Sequence, residues 1–212
     1  MNQNSYFLAD DEKGLTLNEL NRRPKQASEQ VTLGVRDNYC LRLLRPEDEV
    51  PLFEYFRRLG PETRSRYAPH PFDREAAVKI CQEIDYLTDA RIVAVAEDAD
   101  GRIDGYFIVH WGVAENERQR FSEYGIKLCP ALTCMVAPSV ADEQQGQGLG
   151  SAMMAHVFDL ARRVMRLTVV LQGGVQASNT VARNFYAKFG FRNVGIFEAA
   201  NRQNYDMMVE LR

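Results

Sequence analysis

Gln145-Gly146-Gln147-Gly148-Leu149-Gly150-Ser151 lies between a strand-like run and a long helical pattern. Three glycines in five positions let successive backbone N–H groups turn toward one point with no Cβ in the way, and a helix start adds partial positive charge. Such a turn can cradle an anion, or it can simply reverse the chain. It is not a P-loop, because no Gly-Lys-Ser/Thr closes it, and its G-x-G-x-G spacing fails the dinucleotide fingerprint. Downstream, Met154, Val157, Phe158, Ala161, Val164 and Met165 repeat at helical spacing, and a β-branched run follows at 167–171. Asn179 then leads a second helix with Val181, Phe185 and Phe189 on one face, and Gly190 suits a left-handed C-cap.

Upstream of the glycines, residues 131–136 have strand composition and 137–144 read as a connecting loop. Residues 112–127, polar and charged, read as a long excursion between neighbouring strands. The runs 92–96 and 106–110, joined through Asp98-Ala99-Asp100-Gly101, predict an antiparallel hairpin. Before them, Asp73 stands as N-cap to Ala76, Ala77, Ile80, Cys81, Ile84 and Leu87. Pro46 and three acids precede Val50, Leu52, Phe53, Phe56 and Leu59, a first helix that ends at Gly60-Pro61. Residues 61–67 begin another short helix, broken by Pro69-His70-Pro71. Residues 31–35 and 40–44 predict a hairpin with Asp37-Asn38 as its turn pair, and the tail reads as strands 191–197 and 205–211 around a connection at 201–204. One α/β domain over 31–212 is the expectation, with 1–30 as an N-terminal arm, either mobile or docked on a partner.

Composition agrees with a single ordinary domain: of 212 residues, 45% are hydrophobic and 26% charged. The 26 basic and 29 acidic side chains leave a net charge of −3, without the basic surplus that nucleic-acid binding by a whole domain uses, so no nucleic-acid partner is expected. The longest charge-free stretches, 128–141 and 167–182, fall short of the ~20 apolar residues that cross a bilayer. With no basic, apolar leader at the start, a cytoplasmic protein without membrane contact is the expectation. Cys40, Cys81, Cys129 and Cys134 lack C-x-x-C spacing and read as reduced, mostly buried thiols; with His70 and His110 they make no metal-ligand pattern, so no metal is expected.

Two motifs, in matching order and at matching distance, carry a family resemblance. Gln145-x-x-Gly148-x-Gly150 matches the Q/R-x-x-G-x-G/A motif of the GNAT superfamily of acetyl-CoA-dependent N-acetyltransferases. Asn179-x-x-Ala182-x-x-Phe185-Tyr186-x-Lys188-x-Gly190-Phe191 resembles the last motif of the same family. The likeness covers residues 40–211, and its start, Leu41-Arg42-Leu43-Leu44-Arg45-Pro46-Glu47-Asp48, is similar to the GNAT domains of bacterial protein-lysine acetyltransferases. The resemblance implies an α/β (α+β) fold: a mixed, mostly antiparallel seven-stranded sheet flanked by helices, with strands 131–136 and 167–171 splayed at an acetyl-CoA cleft. It implies that main chain around Met135 and Val136 hydrogen-bonds the pantetheine arm as a pseudo-strand. The amides of Gln145, Gly146, Gln147, Gly148, Leu149, Gly150 and Ser151 would hold the pyrophosphate. Asn179 would meet the pantetheine arm besides capping its helix, and Tyr186 would contact the cofactor and act as general acid. The implied activity is acetyl transfer to a primary amine of a small molecule or protein, by direct attack in a ternary complex.

The chemistry also needs a neutral amine, and an alkyl ammonium of pKa about 10.4 is neutral only to about one part in several thousand at pH 7. Some family members carry a glutamate on the strand before the glycine loop, but residues 131–136 contain no carboxylate, so the base is unassigned. Glu115, Glu117 and Glu123 read as a solvated face, His110 as a packed or exposed histidine, and Asp142-Glu143 as substrate contacts or solvated acids. The missing carboxylate keeps a second reading in view, an acetyl-CoA-binding regulatory module, and the arm keeps a homodimer in view.

Overall fold

Tyr106 and Ile108 alternate with Phe107 and Val109, and all four are buried, so the strand that holds them must be covered on both faces. The computed structural model, which describes residues 14–34, 37–67, 69–97 and 101–211, shows how. One sheet contains β1 (Glu29–Leu33), β2 (Asp37–Leu43), β3 (Asp89–Ala96), β4 (Ile103–His110), β5 (Thr133–Val140), β6 (Thr168–Leu171), β7 (Val175–Gln176), β8 (Arg192–Ala199) and β9 (Arg202–Glu210). Its order is β1-β2-β3-β4-β5-β6-β9-β7, with β8 on the other side of β9. Every pairing is antiparallel except β5 with β6, where Thr133 faces Thr168 and Val136 faces Leu171.

The helices are α1 (Leu17–Arg22), α2 (Glu49–Arg58), α3 (Pro61–Arg66), α4 (Arg74–Gln82), α5 (Glu115–Glu123), α6 (Leu149–Arg163) and α7 (Thr180–Lys188). On one face, α6 and α7 bury Met153, Met154, Val157 and Tyr186 against Phe107, Val109, Cys134 and Val136. On the other, α2 and α4 set Leu52, Tyr55, Phe56, Ile80 and Cys81 over Val93, Tyr106, Ile108 and Ala137. On that same side, α5 covers Met135, Val170 and Met208 with Phe121. Burial in this core pushes the Cys134 thiol up to about 12, so it stays a neutral thiol.

The mixed, mostly antiparallel sheet matches the expectation, with nine strands among the described residues where seven were predicted. Four local readings need correction. The 112–127 excursion contains α5, whose buried side chains are Glu117 and Phe121. The 137–144 loop is the second half of β5, followed by a 3-10 turn at Asp142–Gln144, because Pro138 lies inside the strand and does not end it. Asp37 and Asn38 belong to β2 and are not the turn pair; residues 35 and 36 lie outside the described residues, as do residues 98–100 of the predicted Asp-Gly turn. The β8–β9 connection is the pair Ala200-Asn201, both at positive φ (49° and 57°), the conformation of a tight two-residue hairpin turn, and 202–204 belong to β9.

Within the stretch read as an arm, residues 14–30 lie on the core. Thr16 and Glu19 form a reciprocal capping box at α1, and Leu20 is fully buried. His156 of α6 is held between Glu29 Oε2 at 2.7 Å and the Ala27 carbonyl at 2.9 Å. If this segment is integral to the fold, Leu20→Ala costs about 2–5 kcal/mol by urea unfolding; a cost near zero marks it as a separable arm.

Candidate active site

The site starts where two neighbouring strands part. β5 and β6 run side by side to Val136 and Leu171, and Gln172 N donates to the Val136 carbonyl at 3.0 Å. Then Gly173 and Gly174, at φ +66° and +68°, turn the chain away from β5 into β7. Only glycine fits at the second position, because a Cβ on Gly174 would lie 2.7 Å from the Tyr205 carbonyl oxygen. Glu117 of α5, nearly fully buried, accepts from Gly173 N at 3.2 Å and holds this turn in place. Glu117 is therefore no solvated acid.

Beyond Val136, β5 is paired only with β4. Strand alternation points the main chain of Met135, Ala137 and Ser139 at β4 and that of Pro138 and Val140 into the gap. The main-chain groups left for a pseudo-strand are thus the Pro138 carbonyl and the Val140 N–H, since Met135 pairs with His110, Gln172 engages the Val136 carbonyl and Gln145 Nε2 that of Val140. Pro138 fits because its missing N–H faces the gap and not β4.

At the end of β5 the glycine run turns into α6. Gly146 and Gly148 take φ +77° and +96°, and Gly148 caps α6 with no side chain on its first amides. The side chains of Gln145 and Gln147 bond within the loop: Gln145 Nε2 to the Val140 carbonyl at 3.2 Å and Gln147 Nε2 to the Glu143 carbonyl at 2.6 Å. What remains to meet a ligand is main chain, with open space around Gly146. Gly150 lies where α7 approaches α6, 3.7 Å from Phe185 when a Cβ is built on it. An exposed turn of uncapped amides at a 15-residue helix, next to a parted strand pair, fits an anionic ligand with an extended amide arm.

Asn179 caps α7, its Oδ1 accepting from Ala182 N at 3.1 Å and from Arg66 Nη1 at 3.3 Å. Phe191 N donates to the Tyr186 carbonyl and Gly190 N to that of Ala187, a Schellman end that fixes the last turn of α7. The Tyr186 ring sits between Phe185 and Phe191, with centroids 5.5 Å from each. Burial raises its phenol above the usual range, so it stays protonated. Among the described residues no side chain or backbone group bonds its hydroxyl.

On the α2–α4 side, a polar network runs through the core beside the strands, with Tyr55 and Tyr106 fully buried and His70 and Arg91 half-buried. Arg91 Nη1 donates to the Tyr106 hydroxyl at 2.5 Å, and that hydroxyl lies 3.3 Å from His70 Nε2. His70 Nδ1 is 2.7 Å from the Pro71 carbonyl, which assigns the proton to Nδ1 and leaves Nε2 to accept from Tyr106. Tyr55 donates to Ser139 at 2.7 Å. His110, directly across from Met135, has its Nδ1 3.9 Å from Asp89, and burial lowers its pKa below the ordinary 6.5 against the opposing pull of Asp89 and Glu117. Asp142 and Glu143 face no open cleft: Asp142 accepts from Gly60 N at 2.9 Å and Thr63 Oγ1 at 2.6 Å, and Glu143 pairs with Arg58. No cluster of metal-ligating side chains is found among the described residues, and none of their helices is long and apolar enough to cross a membrane.

Residues 88–193, half of the chain, match the acetyltransferase (GNAT) domain model, and the chain belongs to this family. It is 29% identical over 125 residues to an acetyltransferase of Pseudomonas aeruginosa; the match spans 58% of this chain and 59% of that protein's length. The fold is shared with the GNAT domain of S. lividans PAT (TM-score 0.69, 17% identity, covering 89% of this chain and 99% of that one). It is also shared with the ribosomal-protein-S5-alanine acetyltransferase of Vibrio fischeri (0.66, 16%, 86% and 97%). A third likeness is to Salmonella typhimurium yncA, solved with its cofactor acetyl-CoA (0.60, 16%, 81% and 93%).

The two glycine turns respond differently to a methyl group. Gly174→Ala combines left-handed strain with a backbone clash and is expected to cost about 2–4 kcal/mol in urea unfolding. Gly146→Ala meets open space and costs only the conformational part, about 1–2 kcal/mol. Equal costs would mean that close approach at Gly174 does not set the turn.

Proposed function

We propose that the chain transfers an acetyl group from acetyl-CoA to a primary amine by direct attack within a ternary complex. The observation that carries this reading is the gap between β5 and β6 leading into a turn of uncapped amides. The N–H of Val140 and the carbonyl of Pro138 bond the pantetheine arm, and the amides of 146–150 hold the pyrophosphate, Ser151 N being engaged by the Gly148 carbonyl. Asn179, whose Oδ1 is engaged, offers its amide nitrogen to the arm. When bound, the thioester supplies an activated acyl carbon.

Tyr186, kept protonated by its surroundings, gives its proton to the departing thiolate. His110, kept neutral by burial, takes the amine proton directly or through one water. This fills the role that no carboxylate on residues 131–136 could take: the candidate base stands across from Met135 on the neighbouring strand. Asp89, Arg91, Glu117 and Gln172 surround it, with Asp89 positioned to stabilise the imidazolium that forms.

Thiol release from acetyl-CoA against polyamines, aminoglycosides, amino acids and lysine peptides tests the reading. Turnover with one amine class supports it. Tight acetyl-CoA binding without turnover on any of them favours the binding module instead. Tyr186→Phe is expected to lower kcat about 10²-fold with little change in the KM for acetyl-CoA; an unchanged kcat removes the assigned role. In kcat/KM against pH, the acidic limb should fall below pH 6.5, because the neutral imidazole persists to lower pH than an ordinary histidine. His110→Gln should abolish that limb, and a limb that survives the substitution sinks His110 as base.

A further inference from the structure

Tyr67 follows α3 directly, and its hydroxyl is buried with no hydrogen-bond partner among the described residues. An unbonded buried hydroxyl destabilises a fold, and few are retained without cause. The position of this one is not accidental, because α3 is tied down on both sides of the cleft. On the glycine-turn side, Thr63 donates to Asp142 at 2.6 Å. On the α7 side, the Ser65 carbonyl accepts from Gln176 at 3.1 Å and Arg202 at 3.0 Å, and Arg66 bonds Asn179. The Tyr67 ring stacks on Phe72, with centroids 6.1 Å apart and planes 23° apart, which fixes the ring. The ionisable groups near enough to act on it are Tyr106, Tyr55, Arg91 and Tyr186. Tyr67, at the end of α3, and Tyr186, on α7, thus come from two elements that the Arg66–Asn179 bond ties together, and the Tyr186 phenol acts electrostatically on that of Tyr67.

Three groups at the reaction centre need protein partners: the leaving sulfur, the amine and the carbonyl oxygen of the acyl group. Tyr186 serves the sulfur and His110 the amine in the function proposed above, on which this inference rests. The carbonyl oxygen gathers negative charge as the amine adds, so it needs a fixed donor. The first main-chain position on the open edge of β5 cannot supply one, because residue 138 is proline. We propose that the Tyr67 hydroxyl is the hydrogen-bond donor to the carbonyl oxygen of the acyl group, facing Tyr186 across the cleft. Burial also raises the Tyr67 phenol, which keeps it a donor and excludes it as a base.

The test compares acetyl-CoA with CoA, which lacks that carbonyl, by calorimetry on the full chain. Tyr67→Phe is expected to weaken acetyl-CoA about 5–10-fold while CoA stays within about twofold. Its Tm should equal or exceed that of the wild type, since the substitution removes only an unsatisfied hydroxyl. With a responsive amine, kcat should fall about 10²-fold. Tyr186→Phe should lower kcat without changing the ratio of the two affinities. Unchanged acetyl-CoA affinity, equal loss for both ligands, or a lowered Tm with binding lost would each overturn the assignment of Tyr67 alone. A wild-type chain that binds neither ligand would overturn the acetyl-CoA reading and this inference with it.

Discussion

The left-handed pair Gly173-Gly174 decides what the sheet can do. A parallel pair flanked by antiparallel neighbours would otherwise zip to its end, leaving a continuous sheet with no opening. Here β6 stops after Leu171 while β5 continues to Val140, and β7 resumes pairing on β9 only. Three elements border the gap that results. The glycine turn lies at the far end of the unpaired half of β5, α7 starts beyond β7, and α3 ties the two sides together. Glu117 shows how much is invested in the turn, since a buried carboxylate is committed to one of its amides.

Carboxylates and phenols divide the labour around the cleft. The buried or part-buried acids are engaged in ion pairs: Asp48 with Arg42, Asp104 with Arg58 and Arg102, Asp206 with Arg120. Removing either partner of such a pair strands a charge away from water, so these acids are tied to the architecture. Of the buried side-chain atoms left unbonded among the described residues, the two beside the parted strands are neutral: the Tyr67 hydroxyl and the Gln172 amide oxygen, Gln172 being a neighbour of His110. A thioester reacting with an amine develops charge only in passing, and neutral donors and acceptors suit that need.

Much of this was legible in the amino-acid order. The glycine run, the Asn179 cap and the Gly190 C-cap all reside in local backbone chemistry, where sequence speaks directly, whereas the apolar face read as Val181, Phe185 and Phe189 is corrected: Val181 is 76% exposed and the buried side chain of α7 is Tyr186. The end of β5 was not, because Pro138 normally closes a strand and only the absence of a neighbour makes it welcome inside one. α5 was hidden by charge: its buried positions, Glu117 and Phe121, include only one apolar side chain, although Gly125 at φ +75° after its last turn was an available stop signal. Tyr67, His70, Arg91 and His110 come from four separate stretches and meet only through the fold, so no spacing along the chain could unite them. The two-residue β7 is too short to leave a periodic trace.

Pro138 has a further consequence for the folded population as a whole. A parted strand pair exposes main chain inside the sheet, and such bare edges invite a neighbouring molecule to insert a strand and begin a polymer. A proline facing outward denies the intruder a donor, and Gln145 already occupies the Val140 carbonyl two residues on. The α3 bridge narrows access from the side. The opening is thus a poor template for β-strand addition, so the proline that suits a parted strand also protects the edge that parting leaves.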